Sequence, residues 1–535
     1  MKPTTRKNLL IALTYSVTLI GGMFLGYRFL KDQGFTFQKH LQFADNRSEK
    51  VDEIINLINR NYVDEIDADT LSHLQIDSLL HRLDPHSVYL PPVKANEQTE
   101  MLDGTFAGIG IEYYILKDTL LITSVFKDGP AANAGLKLGD KILKIDSVYV
   151  SGKHLPRSQM TGKIKGKKGT EVQLMILHPG TIHPVSLSVT RDRVNVSSID
   201  AAYMINAEAG YIRIGEFGAN TDNDFVDAVK TLKAAGMKKL ILDLRDNGGG
   251  YLTAATGLAN QILPENKLIV YTEGKHEPRT DYVATGGGEF EDGKLAVLIN
   301  ENTASASEIL AGAVQDLDRG VIVGRRSFGK GLVQEQFPFG DGSALNLTIA
   351  RYYTPLGRSI QKSYKRGYTA YQNEIEQRFN DGELTEDPPT AKDSINKNEA
   401  YVTGSGKKVF AGGGIQPDIY VKMDTAGVNK FYTTLVEKKV LFDFVLDVLA
   451  NRYTATYIEQ NLSSFTISDA DYKDFMKYVL AKNIVIDNKQ LMASKQVVYN
   501  DLKALLCKYY LGEAGYYKAM NLNDNMIKQA LSSLQ

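Results

Sequence analysis

Cysteine, net charge and late histidines are what this 535-residue chain has little of, and each shortage removes a class of function. A single cysteine, Cys507, excludes an internal disulfide framework. Its apolar, helix-like surroundings read as those of a small core residue rather than a reactive thiol. With 62 basic and 63 acidic residues the formal net charge is −1, so the charge balance gives no reason to expect nucleic-acid binding. Eight histidines are present, and none lies downstream of Ser305. Order alone does not exclude a Ser/His/Asp triad, because triad members occur in several orders on unrelated folds, but it counts against one.

What is present is ordinary in bulk: 43% hydrophobic and 23% charged residues describe a folded chain, and the length implies roughly three or four domains. The N-terminus is more telling. Leu9 to Tyr27 is uncharged and mainly apolar, flanked by Lys2, Arg6 and Lys7 before it and Arg28 after it. As a helix it spans about 28 Å, close to a bilayer core, and the leading basic residues favour a cytoplasmic N-terminus. Everything after Arg28 is then extracytoplasmic, in the cell envelope. No Ala-x-Ala site follows the run, so an uncleaved anchor is expected over a signal peptide, and no following cysteine offers a lipoprotein site.

Beyond the anchor, Val51, Ile54, Ile55, Ile58 and Tyr62 recur at helical spacing, and Leu71, Leu74, Leu79 and Leu83 do so more loosely. This helical module ends at Leu83-Asp84-Pro85-His86-Ser87, and Tyr89-Leu90-Pro91-Pro92 leads into an extended linker. From Phe106 to Arg193 short β-rich runs alternate with glycine turns, with one short helix near Ala131 to Gly135. From Gly210 to about Val421 strands such as Leu240 to Leu242, Leu295 to Ile299 and Val321 to Val323 alternate with helices, the pattern of a layered α/β domain. Lys362 to Lys408 is polar and aperiodic, a long surface insertion, and the last hundred residues return to amphipathic helices.

Two segments carry chemistry. Asn302-Thr303-Ala304-Ser305-Ala306-Ser307-Glu308 reads as a strand-to-helix turn with Ser305 near the helix start, where its hydroxyl is exposed and the free amide of Ala306 points at a developing oxyanion. A Ser/Thr cluster before a helix is also an ordinary cap, and Ser307 competes as nucleophile although it fits the helix body better. The second segment, Phe328-Gly329-Lys330-Gly331, lies 330 − 305 = 25 positions downstream of Ser305. Its glycines let Lys330 approach another segment, and Phe328, Leu332 and Val333 can dry the site. Burial lowers a lysine pKa, and a neutral lysine can take a proton from a serine.

Gly324-Arg325-Arg326-Ser327-Phe328-Gly329-Lys330 also fills part of a phosphate-binding loop. Position 331 is glycine, so the magnesium-binding hydroxyl is missing, and the β-like residues after it offer no helix N-terminus. Nucleotide binding is rejected. Gly248-Gly249-Gly250, between a strand and a helix, presents backbone amides to an anion.

In this order, Leu83 to Ser87, the β-rich segment, Asp243 to Gly250, the Ser305 motif, Phe328 to Gly331 with Gln334, Tyr353-Thr354-Pro355 with Gly357-Arg358, and Gly414 to Asp418 resemble the C-terminal processing peptidases, the tail-specific serine proteases. The resemblance implies a multi-domain α/β protein: a crotonase-like serine protease core with an inserted β-rich PDZ domain, an N-terminal helical module and a C-terminal helical region. The expected boundaries are 1–30 for the anchor or signal segment, 31–96 for the helical module and 97–195 for the PDZ domain. They continue with 196–428 for the core, including the insertion 362–408, and 429–535 for the helical region.

By the same resemblance Ser305 is the nucleophile and Lys330 the base. Gln334 orients or stabilises the neutral lysine, and Gly249 or Gly250 joins Ala306 in the oxyanion hole. Asp243 and Arg245 pair to fix the glycine loop. Amides of Ile109, Gly110 and Ile111 capture a substrate's terminal carboxylate while the peptide adds to the sheet edge. No metal or cofactor is implied. The partners are proteins or peptides with accessible C-termini, the membrane through the anchor, and a homo-oligomer or adaptor for which the C-terminal helices are one candidate. The competing class is a catalytically silent PDZ scaffold that binds envelope protein tails.

Overall fold

The computed structural model describes residues 76–387, 396–485 and 487–535. The expected anchor and most of the helical module lie outside them. Among the described residues no helix is long and apolar enough to cross a membrane. The chain divides into Met1–Leu83 and Asp84–Gln535, and every described strand belongs to the second unit.

The centre of that unit is a six-stranded sheet. Ile199–Met204 runs antiparallel to Ala209–Ile214, and Lys239–Asp243, Lys294–Ile299, Val321–Gly324 and Ile419–Tyr420 continue it in parallel. The parallel strands read as continuous apolar runs because both faces are covered. Ile212, Leu240, Leu242, Val297 and Ile299 point to one side, where helices Thr221–Ala234, Leu252–Ile262 and Ala306–Asp316 bury them. Tyr211, Ile241, Ala296, Leu298 and Val323 alternate to the other side, where the last helix, Asn525–Ser533, lays Met526, Ile527 and Ala530 on them.

A second sheet of five antiparallel strands stands beside it. Leu332–Pro338 lies along one edge of the long strand Ala344–Tyr353, and Val88–Leu90 and Leu268–Glu273 share its other edge. Two expectations change here. The segment after Tyr89 is not an extended linker: Val88–Leu90 is a strand of this sheet, and Pro91-Pro92 opens a helix, Pro92–Leu102. Proline at the first helical position loses no hydrogen bond and presets the backbone angle, so the same residue that breaks a helix starts this one. Residues 84–96 therefore build the core rather than a separate N-terminal module.

The β-rich domain is a six-stranded antiparallel sheet with Ile111–Leu116 at its edge. Gly110 adopts a φ of +78° between Thr105–Gly108 and Ile111–Leu116, splitting what the sequence reads as one strand from Gly108 to Tyr114. A helix the pattern did not reveal, Arg157–Ile164, faces that edge strand, and Tyr113 OH and Thr161 Oγ1 bridge the two at 2.6 Å.

The polar insertion also departs from a surface reading. Tyr368–Gln372 and Glu374–Asn380 are helical, and Lys362, Tyr371, Arg378 and Glu383 are buried. Its charges are paired, which is why a hydrophilic stretch can sit inside: Arg326 and Arg378 share Glu383, and Lys362 meets Glu374 at 3.0 Å.

The C-terminal helices surround Phe431, Leu435, Phe444, Phe475, Val498 and Leu502. Cys507 belongs to this core, its thiol pushed up to about 11 by burial.

Arg358 is 1% exposed and donates to Asp316 Oδ1 at 2.5 Å, to Gln315 Oε1 at 3.1 Å and to the Phe410 carbonyl at 3.0 Å, joining the serine helix to the strand Lys408–Ala411. Removing one partner leaves an uncompensated buried charge, at a cost of about 3–5 kcal/mol. Asp316→Ala is expected to lower the denaturant midpoint accordingly; a change below about 1 kcal/mol would show the pair to be dispensable.

Candidate active site

Three loops leave the carboxyl ends of three neighbouring parallel strands, the place where open α/β sheets bind ligands. Gly248–Gly250 follows Lys239–Asp243, Ser305 follows Lys294–Ile299, and Lys330 follows Val321–Gly324. Ser305, Ala306, Lys330, Gln334 and Gly248–Gly250 line one cavity of about 650 Å³, together with His86 and Tyr352.

Ser305 has a φ of +55°. A non-glycine residue held there costs about 1–3 kcal/mol and persists only where its surroundings over-determine it. The surroundings are explicit. The Ser305 amide donates to Glu308 Oε2 at 2.9 Å, Ala304 N–H donates to the Asn247 carbonyl at 3.0 Å, and Thr303 Oγ1 donates to the Leu244 carbonyl at 2.9 Å. Ser307 is fully buried and its hydroxyl donates to the Asn247 carbonyl at 3.1 Å, so it ties two loops together and does not face the cavity.

Gly249 is required by contact: a Cβ there would lie 2.8 Å from Ser305 Cβ. Its amide donates to Asn247 Oδ1 at 2.9 Å and is therefore engaged, while Gly250, exposed at the mouth, adds no such side-chain bond. Asp243 is fully buried and held at about 2, its burial outweighed by Arg245, Arg213 and Tyr211. Arg245 grips it through Nε at 2.9 Å and Nη2 at 2.6 Å, the pairing the sequence implied.

Glu308 joins the Ser305 segment to the Lys330 segment. Besides the Ser305 amide, its carboxylate accepts Lys330 N–H at 2.8 Å, Gly329 N–H at 2.8 Å and Ser327 Oγ–H at 2.5 Å. Burial pushes its pKa up to about 7 against these four donors. Tyr352 OH adds a further link, 3.1 Å from the Ser305 carbonyl and 2.5 Å from that of Lys330. Gly329 has a φ of +90°, and a Cβ there would lie 2.9 Å from the Gly414 amide, so the turn must be glycine.

Burial lowers the Lys330 pKa to about 8, with the charges of Glu308 and Asp84 pulling the other way. Gln334 lines the same cavity, and its amide nitrogen donates to Thr348 Oγ1 at 3.1 Å, across a bulge that sets Ile349 out of register.

His86 is the residue that chain order hid. Asp84 Oδ1 accepts the amides of His86 and Ser87 at 2.7 and 2.8 Å, and this tight turn delivers the imidazole to the cavity wall. Its Nε2 is hydrogen-bonded to Tyr371 OH at 2.7 Å. Burial and the Lys330 charge lower its pKa to about 3, so it is neutral at neutral pH. The Leu83 to Ser87 motif is its signal in the sequence, and that motif assigns the imidazole no role.

Residues 208–369 match the family model of peptidase family S41 and residues 107–189 that of the PDZ domain, while 431–512 match a family of unknown function. The carboxy-terminal-processing protease of Bartonella bacilliformis is 35% identical over 313 residues, covering 58% of this chain and 71% of that one. The chain belongs to the carboxy-terminal processing peptidases. The carboxy-terminal processing protease CtpB of Bacillus subtilis is 33% identical over 321 residues, covering 59% of this chain and 66% of that one. Among solved structures, the photosystem II D1 C-terminal processing protease is 29% identical, covering 58% of this chain and 88% of that one, with a TM-score of 0.31. This member of the family is thus a serine-type peptidase with a PDZ domain and additional C-terminal helices.

Because the folded Lys330 value lies near 8 and the ordinary one is 10.5, the native chain binds less proton than the unfolded chain between them, and stability falls as pH drops through that window. Lys330→Met removes this cost. Thermal melts are expected to show the variant more stable than wild type at pH 7, with the gain shrinking by pH 10; a variant less stable at pH 7 would contradict a desolvated lysine.

Proposed function

We propose that the protein cleaves polypeptides recognised by their C-terminal tails, with Ser305 and Lys330 as a dyad on a crotonase-like core. The observation that carries this reading is a strained serine and a desolvated lysine on the wall of one cavity, their segments locked to each other by Glu308.

Neutral Lys330 takes the hydroxyl proton of Ser305 as Oγ attacks the scissile carbonyl carbon. The oxyanion is met by Ala306 N–H at the start of the helix Ala306–Asp316 and by Gly250 N–H, the glycine-loop amide left over once Asn247 has engaged Gly249. The Lys330 ammonium then gives its proton to the departing amine. Water, deprotonated by the regenerated amine, hydrolyses the acyl-enzyme ester. Gln334, on the same wall, orients Lys330 when a substrate displaces its contact with Thr348.

The tail binds along the open edge of Ile111–Leu116, its carboxylate at the amides of Ile109, Gly110 and Ile111. The Tyr113–Thr161 bridge spans the cleft a bound peptide occupies between edge strand and helix, so binding replaces that hydrogen bond. The basic-flanked apolar run Leu9 to Tyr27 supports an envelope location with the peptidase on the extracytoplasmic side.

Cleavage of an unfolded substrate with an apolar C-terminus tests the dyad. Ser305→Ala and Lys330→Ala are each expected to abolish turnover while tail binding persists, and kcat/KM of the wild type should rise with pH to a plateau above about 8. Activity that survives in Ser305→Ala and disappears in Ser307→Ala would move the nucleophile. Tail binding without turnover in the wild type would favour the silent scaffold.

A further inference from the structure

The helical segment after residue 429 touches both functional ends of this molecule. At one end it meets the PDZ edge strand: Tyr114 OH donates to Asp443 Oδ1 at 2.8 Å, the Tyr114 and Phe442 rings pack edge-on at 4.9 Å, and Lys117 pairs with Asp447 at 2.6 Å. Phe442 is thereby turned away from the C-terminal core that Phe444 and Val445 enter. At the other end the chain returns across the outer face of the protease sheet. Tyr517 stacks under Arg213 at 4.4 Å, and Asn521 donates to Tyr203 OH at 2.7 Å.

Asp524 is the point of contact with the catalytic machinery. Its Oδ1 accepts Met526 N–H at 2.7 Å and Ile527 N–H at 3.3 Å, capping the last helix, while Oδ2 pairs with Arg245 Nη1 at 2.5 Å. The pair is shielded, with 15% and 19% of the two side chains exposed. Arg245 uses its remaining nitrogens on Asp243, so its guanidinium is fixed from both sides.

The backbone just after Arg245 is tied directly to the serine segment. Asp246 N–H donates to Asn300 Oδ1 at 2.9 Å, the Asn247 carbonyl accepts Ala304 N–H, and three residues later comes Gly250. The Arg245 amide also donates to Asp243 Oδ1 at 3.0 Å, so the carboxylate that grips its guanidinium fixes the backbone entering the glycine loop as well. Without the Asp524 charge Arg245 keeps its bonds to Asp243, but Nη1 loses its carboxylate and the guanidinium is held from one side only.

We propose that Asp524 is a positioning residue for the Gly248–Gly250 loop, and that the C-terminal helical segment is a working brace of the peptidase that spans from the tail-recognition strand to the oxyanion site. The proposal rests on the reading of the protein as a Ser305/Lys330 peptidase. It assigns a role to residues 431–512, which match a family of unknown function, and to Asp524 beyond them.

Asp524→Asn separates charge from folding, because asparagine caps a helix about as well as aspartate. With the full chain and a tail-bearing peptide, kcat is expected to fall about tenfold with KM within a factor of two, since a displaced donor forfeits part of the 10²–10³ that a lost one costs. Labelling of Ser305 by a fluorophosphonate should slow in parallel, the melting temperature should stay within about 2 °C of wild type, and Asp524→Glu should recover part of the rate. Wild-type kcat in Asp524→Asn overturns the proposal, and so does a loss that merely follows the fraction unfolded in the melt. Turnover surviving in Ser305→Ala would instead sink the Ser305/Lys330 assignment on which the proposal rests. At the PDZ end, Phe442→Ala is expected to cut the ratio of kcat/KM with and without a substrate tail at least threefold; an unchanged ratio removes that half of the brace.

Discussion

One carboxylate decides whether this site exists. Glu308 is completely buried, and all of its hydrogen-bonding capacity goes to two chain segments that would otherwise have no fixed relation: the amide of Ser305 on one side and Ser327, Gly329 and Lys330 on the other. Charge-assisted hydrogen bonds are the strong ones, and four of them on one group offset a desolvation cost that pushes its pKa to about 7. The strain at Ser305 is tolerated because this carboxylate holds the residue where relaxation would break a bond to a buried anion.

The lysine segment is then enclosed from its other side. Arg378 donates to the carbonyls of Arg326 and Ser327 while sharing Glu383 with Arg326, and Lys362 lies 3.7 Å from the Phe328 ring and 4.1 Å from that of Tyr371. The wall these groups build fixes the backbone that leads into Lys330. A polar insertion has thus become part of the buried surroundings of the lysine segment.

Much of this is legible in the sequence because it is written in local pattern. The parallel strands are short apolar runs between glycines, the helices that cover them come at the right distance, and the Ser305 and Lys330 motifs are contiguous. No local pattern separates Gly249 from Gly250, since the difference lies in where the Asn247 side chain spends its acceptor. Glu308 was visible only as the residue that made Ser307 look helical. His86 arrives from a turn 305 − 86 = 219 positions before Ser305, and no spacing rule reaches that far. The insertion misled because hydrophilicity reports solvent exposure only for unpaired charges, and its arginines and glutamates are mutual partners. Pro91-Pro92 misled for a similar reason: proline marks a helix boundary without saying which side the helix is on.

The outer face of the central sheet has a temporal meaning as well as a spatial one. Tyr211, Ile241, Ala296, Leu298 and Val323 find their cover in a helix made from the last residues of the chain. Until that helix docks, this apolar surface lacks its cover. A chain with such long-range closure folds late. A chain opened at this helix bares an apolar face of the sheet that carries the three site loops, so covering the core and assembling the site are one long-range event.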